Sequence, residues 1–322
     1  MKIIECVPNF SEGRDKEKIK QIGNSLQQVS NCKLLNIESD YDHNRTVVTF
    51  IGDEIGILKG SITICKAAAE LIDMRFHKGE HPRIGAIDVV PFIPVRNTTM
   101  NECVEISKRF GEIISKELNI PVFLYSASAK NERRKELSNI RKGEYEGLQE
   151  KLTNPNWQPD FGNNLFNPKS GALVTGARNF LIAYNVNLKT NDVSAAKNIS
   201  EIIRESGKDD KPGLLKCVKA LGIYLKSNNF CQVSMNLTNY KITSLHTAYE
   251  EVKTQAKKFN VEIIGSEIVG MVPLEAILES GRFYSKNKNK SDDILIDAAI
   301  DKLKLNSFYP FDKKKKIIDY TL

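Results

Sequence analysis

The stretch KLLNIESDYDHNRTVVTFIG, residues 33–52, holds two apolar, strand-forming runs around a polar centre. KLLNIE (33–38) and TVVTFI (46–51) read as strands, and SDYDHNR between them as a turn, so the segment is an antiparallel hairpin. Working outward, each side of the hairpin carries a helix and then a strand. Before it, KIIECV (2–7) is strand-like, and Ile19, Ile22 and Leu26 recur at helical spacing behind Ser11 and Asp15. After it, residues 55–74 read as a helix ending in an alanine-rich stretch, followed by the β-branched run IGAIDVVPFIPV (84–95). Proline cannot donate to a sheet ladder, so this last run is expected at a sheet edge or with its prolines at strand ends. The order β-α-β-β-α-β is the split βαβ, ferredoxin-like pattern. A further helix near 100–118 and the strand PVFLYS (121–126) extend it.

From residue 179 the order returns. FLIAYNVNL (180–188) is a strand, 193–205 a helix, VKALGIYL (218–225) and CQVSMNL (231–237) strands, 244–259 a helix and VEIIGSEIVG (261–270) a strand. Pro273 opens another helix, and 292–304 a last one. The expected fold is α/β (α+β), two ferredoxin-like βαββαβ subdomains, residues 1–178 and 179–322. The repeat is one of pattern, not of residues. Between them, a charged helical piece leads into NPNWQPDFGNNLFNPKSGA (154–172), which holds the only tryptophan. Loops carrying aromatics often line ligand sites.

The chain has 322 residues, 41% hydrophobic and 27% charged, with a net charge of +7. That is a globular composition with ample core. No apolar run approaches the ~18 residues of a membrane span, and the N-terminus lacks a signal-peptide pattern. The protein is expected in the cytoplasm, with no membrane partner. Cys6, Cys32, Cys65, Cys103, Cys217 and Cys231 are scattered singly beside apolar residues and read as buried free thiols. Part of the positive charge lies in Lys286, Lys288 and Lys290 and in Lys313 to Lys316, read as a solvated tail. No nucleic-acid-binding motif accompanies it.

HKGEHPRIG (77–85) holds two of the four histidines. His77 and His81 frame Glu80 in the reversed zinc-peptidase pattern, which needs a helix to bring both rings to one face. Gly79 weakens a helix and Pro82 disfavours the α conformation at His81, so no metal is assigned. His81, extended before a proline, suits a projecting base, since histidine titrates near neutrality. An ordinary hydrogen-bonded loop histidine fits the same residues. His43 reads as exposed or behind the site, and His77 as structural.

Several long blocks together resemble one known family. They are ECVPNFSEGRD (5–15), NRTVVTFIG (44–52), IDMRFHKGEHPRIGAIDVVPFIPV (72–95), WQPDFG (157–162), SGALVTGARNFLIAYNVNL (170–188), PGLLKCVKALG (212–222), QVSMNLTNY (232–240) and GSEIVGMVPLEA (265–276). In this order they resemble the formiminotransferase domain, the glutamate formimidoyltransferase family, in a form without a cyclodeaminase domain. The resemblance implies two ferredoxin-like subdomains with a folate-lined tunnel between them, and a homodimer. It implies that the catalytic histidine is His81, in GEHPR. It implies a folate-binding stretch over Gly162, Asn163, Asn164, Leu165, Phe166, Asn167, Pro168, Lys169, Ser170 and Gly171. Where family members often carry Gly-Arg, this chain has Gly207–Lys208.

The implied reaction moves a formimino group from N-formimino-L-glutamate to N5 of the co-substrate tetrahydrofolate. Such a site needs an anion beside the cationic amidine, a base for the N5 proton and cations for the donor's carboxylates. Glu38 and Asp40 are candidates for the first, or for orienting His81, although a polar turn uses such residues equally well. Arg45, Arg83 and Arg178 are candidates for the carboxylates. Phe161 or Trp157, with Asn163 or Asn164, would suit the pterin. Three other readings are compatible with parts of the pattern: formyl transfer from N-formylglutamate, a non-catalytic folate-binding module, and a metallopeptidase.

Overall fold

Two short strands, Ile3–Cys6 (β1) and Asn9–Phe10 (β2), open the chain and are separated by Val7 and Pro8. Helix α1 (Lys16–Asn24) follows, its first turn capped by the Asp15 carboxylate, which accepts from the backbone N–H of Glu17 and Lys18. The hairpin forms from Cys32–Asp40 (β3) and Arg45–Gly52 (β4). Then come α2 (Glu54–Leu71), β5 (Ile87–Arg96), α3 (Met100–Leu118) and β6 (Val122–Leu124). Three short helices, α4 (Glu132–Lys135), α5 (Leu137–Arg141) and α6 (Leu148–Thr153), precede β7 (Leu173–Ala177). This is a computed structural model that describes residues 2–285 and 290–322. Lys286 and Lys288 of the lysine-rich stretch lie outside the described residues.

The chain divides into two units, Met1–Asn179 and Phe180–Leu322. In the first, β4 and β5 flank β1 and β2 antiparallel, and β3 pairs the far side of β4. That is the ferredoxin-like order. β7 and β6 then extend the sheet in parallel beyond β5. β5 is therefore an interior strand, not an edge. Its prolines are accommodated by the ladder's gaps. Pro91 lies opposite the break between β1 and β2, where its carbonyl accepts from Val7 N–H. Pro94 pairs only with Ile4, because β7 reaches no further than the partner of Phe92.

α2 and α3 cover one face of this sheet through a core that includes Phe10, Phe50, Phe92 and Phe110. Each of these rings is fully buried, and truncating one to alanine costs about 3–5 kcal/mol. A second cluster, with Phe123, Tyr125, Ile140, Leu148 and Val174, joins β6 and β7 to α5 and α6. Thus the charged helical piece packs on the sheet extension.

The second unit runs β8 (Ile182–Leu188), α7 (Val193–Ile203), β9 (Val218–Leu225), β10 (Phe230–Leu237), α8 (Leu245–Lys258) and β11 (Ile263–Val269). The sheet order β11-β8-β10-β9 is again ferredoxin-like and wholly antiparallel. Along β8, Tyr184, Val186 and Leu188 enter the core while Asn185 and Asn187 alternate away from it. α9 (Leu274–Tyr284) and α10 (Asp292–Lys302) complete the unit. The lysine run forms α11 (Lys313–Lys316), in which Lys313 and Lys316 are docked rather than solvated while Lys314 and Lys315 are exposed. Lys313 pairs with Asp297 at 2.6 Å, Lys316 donates to the carbonyl of Ile268 at 2.8 Å, and Ile317 and Ile318 are buried.

All six cysteines are free, and Cys6, Cys65, Cys103 and Cys231 are buried. Among the described residues, no helix is long and apolar enough to cross a membrane.

Candidate functional site

The segment around His81 is an irregular loop, and Gly79 shows why it lies where it does. A Cβ on Gly79 would stand 2.2 Å from the His43 carbonyl oxygen. Only glycine lets this loop run against the β3–β4 turn. Asn44 closes that turn in the left-handed region, at φ 48°, a conformation asparagine tolerates. Its amide donates to the Lys78 carbonyl at 3.0 Å, and Glu80 N–H donates to the Asp42 carbonyl at 3.2 Å. His77 Nε2–H donates to the Asn44 carbonyl at 2.9 Å, while its Nδ1 accepts from Arg83 Nε at 3.2 Å. His77 thus ties loop to turn, and its ring nitrogens are engaged separately from those of His81.

The result is an edge-to-face pair, His43 and His81, with ring centroids 5.7 Å apart. His81 Nδ1–H donates to the Pro82 carbonyl at 2.8 Å, and Nε2 accepts from Arg45 Nη1. These bonds define a neutral imidazole with its lone pair on Nε2. Arg45 Nη2 donates to Asn9 Oδ1, and Arg45 Nε is buried without an acceptor. Behind them the Arg141 guanidinium binds the buried Asp88 carboxylate, which also accepts from Ile84 N–H at 3.1 Å. Burial first, then the charges of Arg45 and Arg141, hold the His81 pKa well below the usual imidazole range. Burial likewise lowers His43, against the pull of Asp40. Burial and the neighbouring Arg141 weaken the hold of Arg45 on its proton, with Asp88 and Asp40 opposing.

A second stretch is fastened to the same loop. Gly171, at φ 67°, forms a bridge with Gly85, and Ala86 N–H and Ala172 N–H donate to the carbonyls of Ser170 and Ile84. A Cβ on Gly85 would meet the Ala172 oxygen at 2.2 Å. The other end is pinned where Phe161 bridges Val122 of β6 and Gly162 turns at φ 82°. Between these anchors Asn163, Asn164 and Leu165 are exposed, and Leu165 is 68% exposed. Asn163 Nδ2 is already bonded to Asn119 Oδ1 at 2.9 Å. Asn167 Oδ1 accepts from the N–H groups of Lys169 and Ser170. Phe166 packs on Tyr145, whose hydroxyl donates to the Pro168 carbonyl at 2.5 Å. Lys169 Nζ reaches the Glu70 carbonyl at 2.9 Å.

The chain matches the formiminotransferase domain, N-terminal subdomain, over residues 3–178, and the formiminotransferase domain over 183–322. It belongs to the formiminotransferase family. It is 49% identical to the formimidoyltransferase-cyclodeaminase of Dictyostelium discoideum over 99% of its length. It spans 60% of the length of that relative. It is 42% identical to the glutamate formimidoyltransferase of Streptococcus pyogenes serotype M1, covering 88% of this chain and 93% of the relative. The glutamate formimidoyltransferase of Thermoplasma acidophilum is 41% identical, over 94% of this chain and 98% of its own.

Within this formiminotransferase chain the expected residues separate into groups. His81 and Arg45 are in direct contact. Asp40 accepts from His43 N–H at 2.7 Å and faces the His43 ring at 3.5 Å. Glu38 lies on β3, accepting from Asn36 at 3.2 Å. Arg83 binds Glu144 and Glu146 at 2.6–2.8 Å and lines an open cavity of about 490 Å³ with Lys78, Gly79 and Gly143. Its guanidinium is committed to carboxylates of the chain. Arg178 donates to the Asn179 carbonyl at 2.9 Å and lies close to buried Tyr125 and Glu5.

His43, expected exposed or behind the site, is half-buried with its ring beside that of His81. Two contributors escaped the sequence reading. Arg141 comes from α5, in the charged helical piece, to which the sequence reading assigns no site role. Glu5 is buried, and burial lifts its pKa to about 7 while Arg178 opposes the shift. Between the unfolded value of 4.5 and about 7, only the folded protein keeps this proton. Stability is therefore lost as pH rises through that window. Glu5→Gln should be more stable than the parent above pH 7, by about 3 kcal/mol. The difference should vanish below pH 4.5 in urea unfolding; a difference independent of pH would contradict this assignment.

Proposed function

We propose that the chain transfers the formimino group of N-formimino-L-glutamate to N5 of tetrahydrofolate, releasing L-glutamate, with His81 as the proton carrier. The observation that carries the mechanism is the His81 lone pair at Nε2, fixed by Nδ1–H to Pro82 and crowded by two arginines. Relatives named for this activity, alike over nearly their whole length, support the choice of reaction.

The donor's amidinium carbon is the electrophile. N5 attacks it, and the new C–N5 bond leaves a proton on N5. His81 Nε2 takes that proton. The imidazolium then protonates the glutamate nitrogen, the C–N bond to glutamate breaks, and the amidinium re-forms on N5. One imidazole performs both transfers, worth typically about 10²–10⁴-fold. Holding the two reactants in attack geometry supplies much of the rest.

Arg45 has a double role in this account. In the structure it donates to the nitrogen that must act as base. A donor carboxylate draws its guanidinium away and pairs with it, which frees Nε2 and relieves the repulsion that depresses His81. Substrate binding thereby turns a weak base into one poised nearer neutrality. Arg45→Gln should raise KM for the donor about tenfold or more, since a charge-assisted bond is lost. It should also move the acidic limb of the kcat/KM profile to higher pH, because free His81 loses a repulsive neighbour. A KM change with an unmoved limb would leave Arg45 a binding residue only.

The segment Gly162–Gly171 is the proposed folate contact, through backbone groups and exposed Asn164 and Leu165, since Asn163 and Asn167 are internally bonded. Six free thiols fit a reducing compartment such as the cytoplasm. The deciding experiment incubates the protein with tetrahydrofolate and either N-formiminoglutamate or N-formylglutamate and identifies the folate adduct. Formation of 5-formiminotetrahydrofolate with stoichiometric glutamate is the expected result. Turnover of the formyl donor alone would overturn it.

A further inference from the structure

Residues 143–147, GEYEG, close into a tight loop between α5 and α6. Gly147 N–H donates to the Gly143 carbonyl at 2.7 Å, and a Cβ on Gly147 would stand 2.7 Å from that same oxygen, so the neck of the loop needs glycine. Lys151 staples the neck. Its Nζ donates to the carbonyl of Ile140 at 2.5 Å and to that of Lys142, and lies 4.6 Å from the centre of the Trp157 ring. Glu144 is held at φ 56°, a conformation that a glutamate keeps only where its surroundings fix it. Here its N–H donates to the Arg141 carbonyl at 2.7 Å, and its carboxylate accepts from Arg83 Nη1 at 2.7 Å.

The tip of this loop touches two others. Glu146 also accepts from Arg83, at 2.6 and 2.8 Å, and Arg83 belongs to the His81 loop, where its Nε donates to His77 at 3.2 Å. Between the two glutamates, Tyr145 packs on Phe166 with ring centroids 5.4 Å apart, and its hydroxyl donates to the Pro168 carbonyl at 2.5 Å. The Gly85–Gly171 bridge already joins the His81 loop to the end of the 162–171 segment. The tip reaches that segment's middle. The two carboxylates are 42% and 63% exposed while Arg83 is 8% exposed, so solvent screens the pairs and their contribution to stability is small. What the alternation of Glu, Tyr and Glu does fix is the distance between two loops far apart in sequence.

We propose that Glu144, Tyr145 and Glu146 are positioning residues, a clasp that sets the 162–171 segment against the His81 loop so that N5 of bound tetrahydrofolate meets the His81 ring. The proposal rests on the reading above, in which that segment contacts tetrahydrofolate and His81 carries its proton. The three residues act through Arg83 on one side and through Phe166 and Pro168 on the other. Such a clasp governs attack geometry, where a displacement of about 1 Å costs on the order of a hundredfold. It leaves the binding contacts of each reactant in place.

The test compares kcat and the tetrahydrofolate dissociation constant of the full chain for wild type, Tyr145→Ala, the pair Glu144→Ala with Glu146→Ala, and all three together, with the thermal midpoint as a fold control. Tyr145→Ala opens the clasp at the 162–171 segment, and the glutamate pair opens it at Arg83. A clasp open at either end no longer links the loops. Each cut should therefore lower kcat by about ten- to a hundredfold, and the triple variant should lose no more than either. Affinity for tetrahydrofolate should stay at the wild-type value. Tyr145→Phe, which keeps the ring on Phe166, should recover part of kcat. Amide exchange of Lys169 and Ser170, whose N–H groups donate to Asn167, reads the same link without substrate and should rise when either end is cut. If the glutamate pair does not fold, Glu146→Gln takes its place in the same cycle. Losses that multiply, a weakened tetrahydrofolate affinity at full kcat, or unchanged kcat in folded variants would overturn the clasp and leave the function standing. A wild-type chain without transfer activity would sink the function instead. Exchange then decides the link alone: a rise from both cuts supports it, and a rise from one or neither overturns it.

Discussion

His81→Ala should lower formimino transfer by about 10²–10⁴-fold while leaving the fold and tetrahydrofolate binding in place. On the proposed mechanism the loss should fall on kcat, because His81 moves the proton there, whereas positioning rests on other groups. The fold is expected to survive because the loop around residue 81 is held by bonds that do not use this ring. Gly79 against His43, Asn44 to Lys78 and Glu80 to Asp42 all remain. Removing the imidazole also removes a burial penalty. His81 is held neutral in the folded protein, while in the unfolded chain it is protonated below its ordinary value near 6.5. Its contribution is therefore present above that pH and lost as pH falls through it. His81→Ala should consequently show a shallower loss of stability in acid than the parent, by urea unfolding at pH 7.5 and 5.5. Transfer at near wild-type rate would remove His81 from the mechanism.

Asp88→Ala should cost about 3–5 kcal/mol of stability, the usual penalty for breaking a buried ion pair by removing one partner. The carboxylate is 2% exposed and its partner Arg141 13%. Its loss strands the Arg141 guanidinium close to that of Arg45, and leaves Ile84 N–H without its acceptor. Asp88→Ala with Arg141→Met should recover much of the loss, since the stranded charge goes with its partner. Denaturant titration of the two single variants and the double variant measures the coupling. A single-variant loss below about 1 kcal/mol would place the pair among exposed bridges.

Much of this architecture is written locally. The 33–52 hairpin, the capped helix after Asp15 and the return of the same element order after residue 179 depend on periodicity and turn chemistry, which neighbouring residues set. The non-helical course of 77–85 was legible from Gly79 and Pro82. The interior position of β5 was not, because it depends on gaps that Val7–Pro8 leave in a neighbouring strand. Arg141 was hidden by its setting: NERRKELSNIRK reads only as a charged helical piece, and the Asp88 that binds it lies 53 residues away. Glu5 did leave a trace. In KIIECV it alternates with Ile4 and Cys6, so it faces away from their core, where a buried carboxyl acts as a signal. The docking of Lys313 and Lys316 left none, since a lysine run has the same composition whether its side chains are solvated or bonded within the fold.

The central claim is that His81 is a neutral base whose pKa burial and then two arginines depress, and which a donor carboxylate raises again. Its most direct test is an NMR titration of histidine-labelled protein, with His81 assigned by comparison with His81→Gln. Alone, the His81 ring should stay neutral well below pH 6.5. With N-formiminoglutamate bound, its midpoint should move up toward neutrality. A ring that titrates near 6.5 in the free protein, or one whose midpoint the donor does not move, would contradict the account.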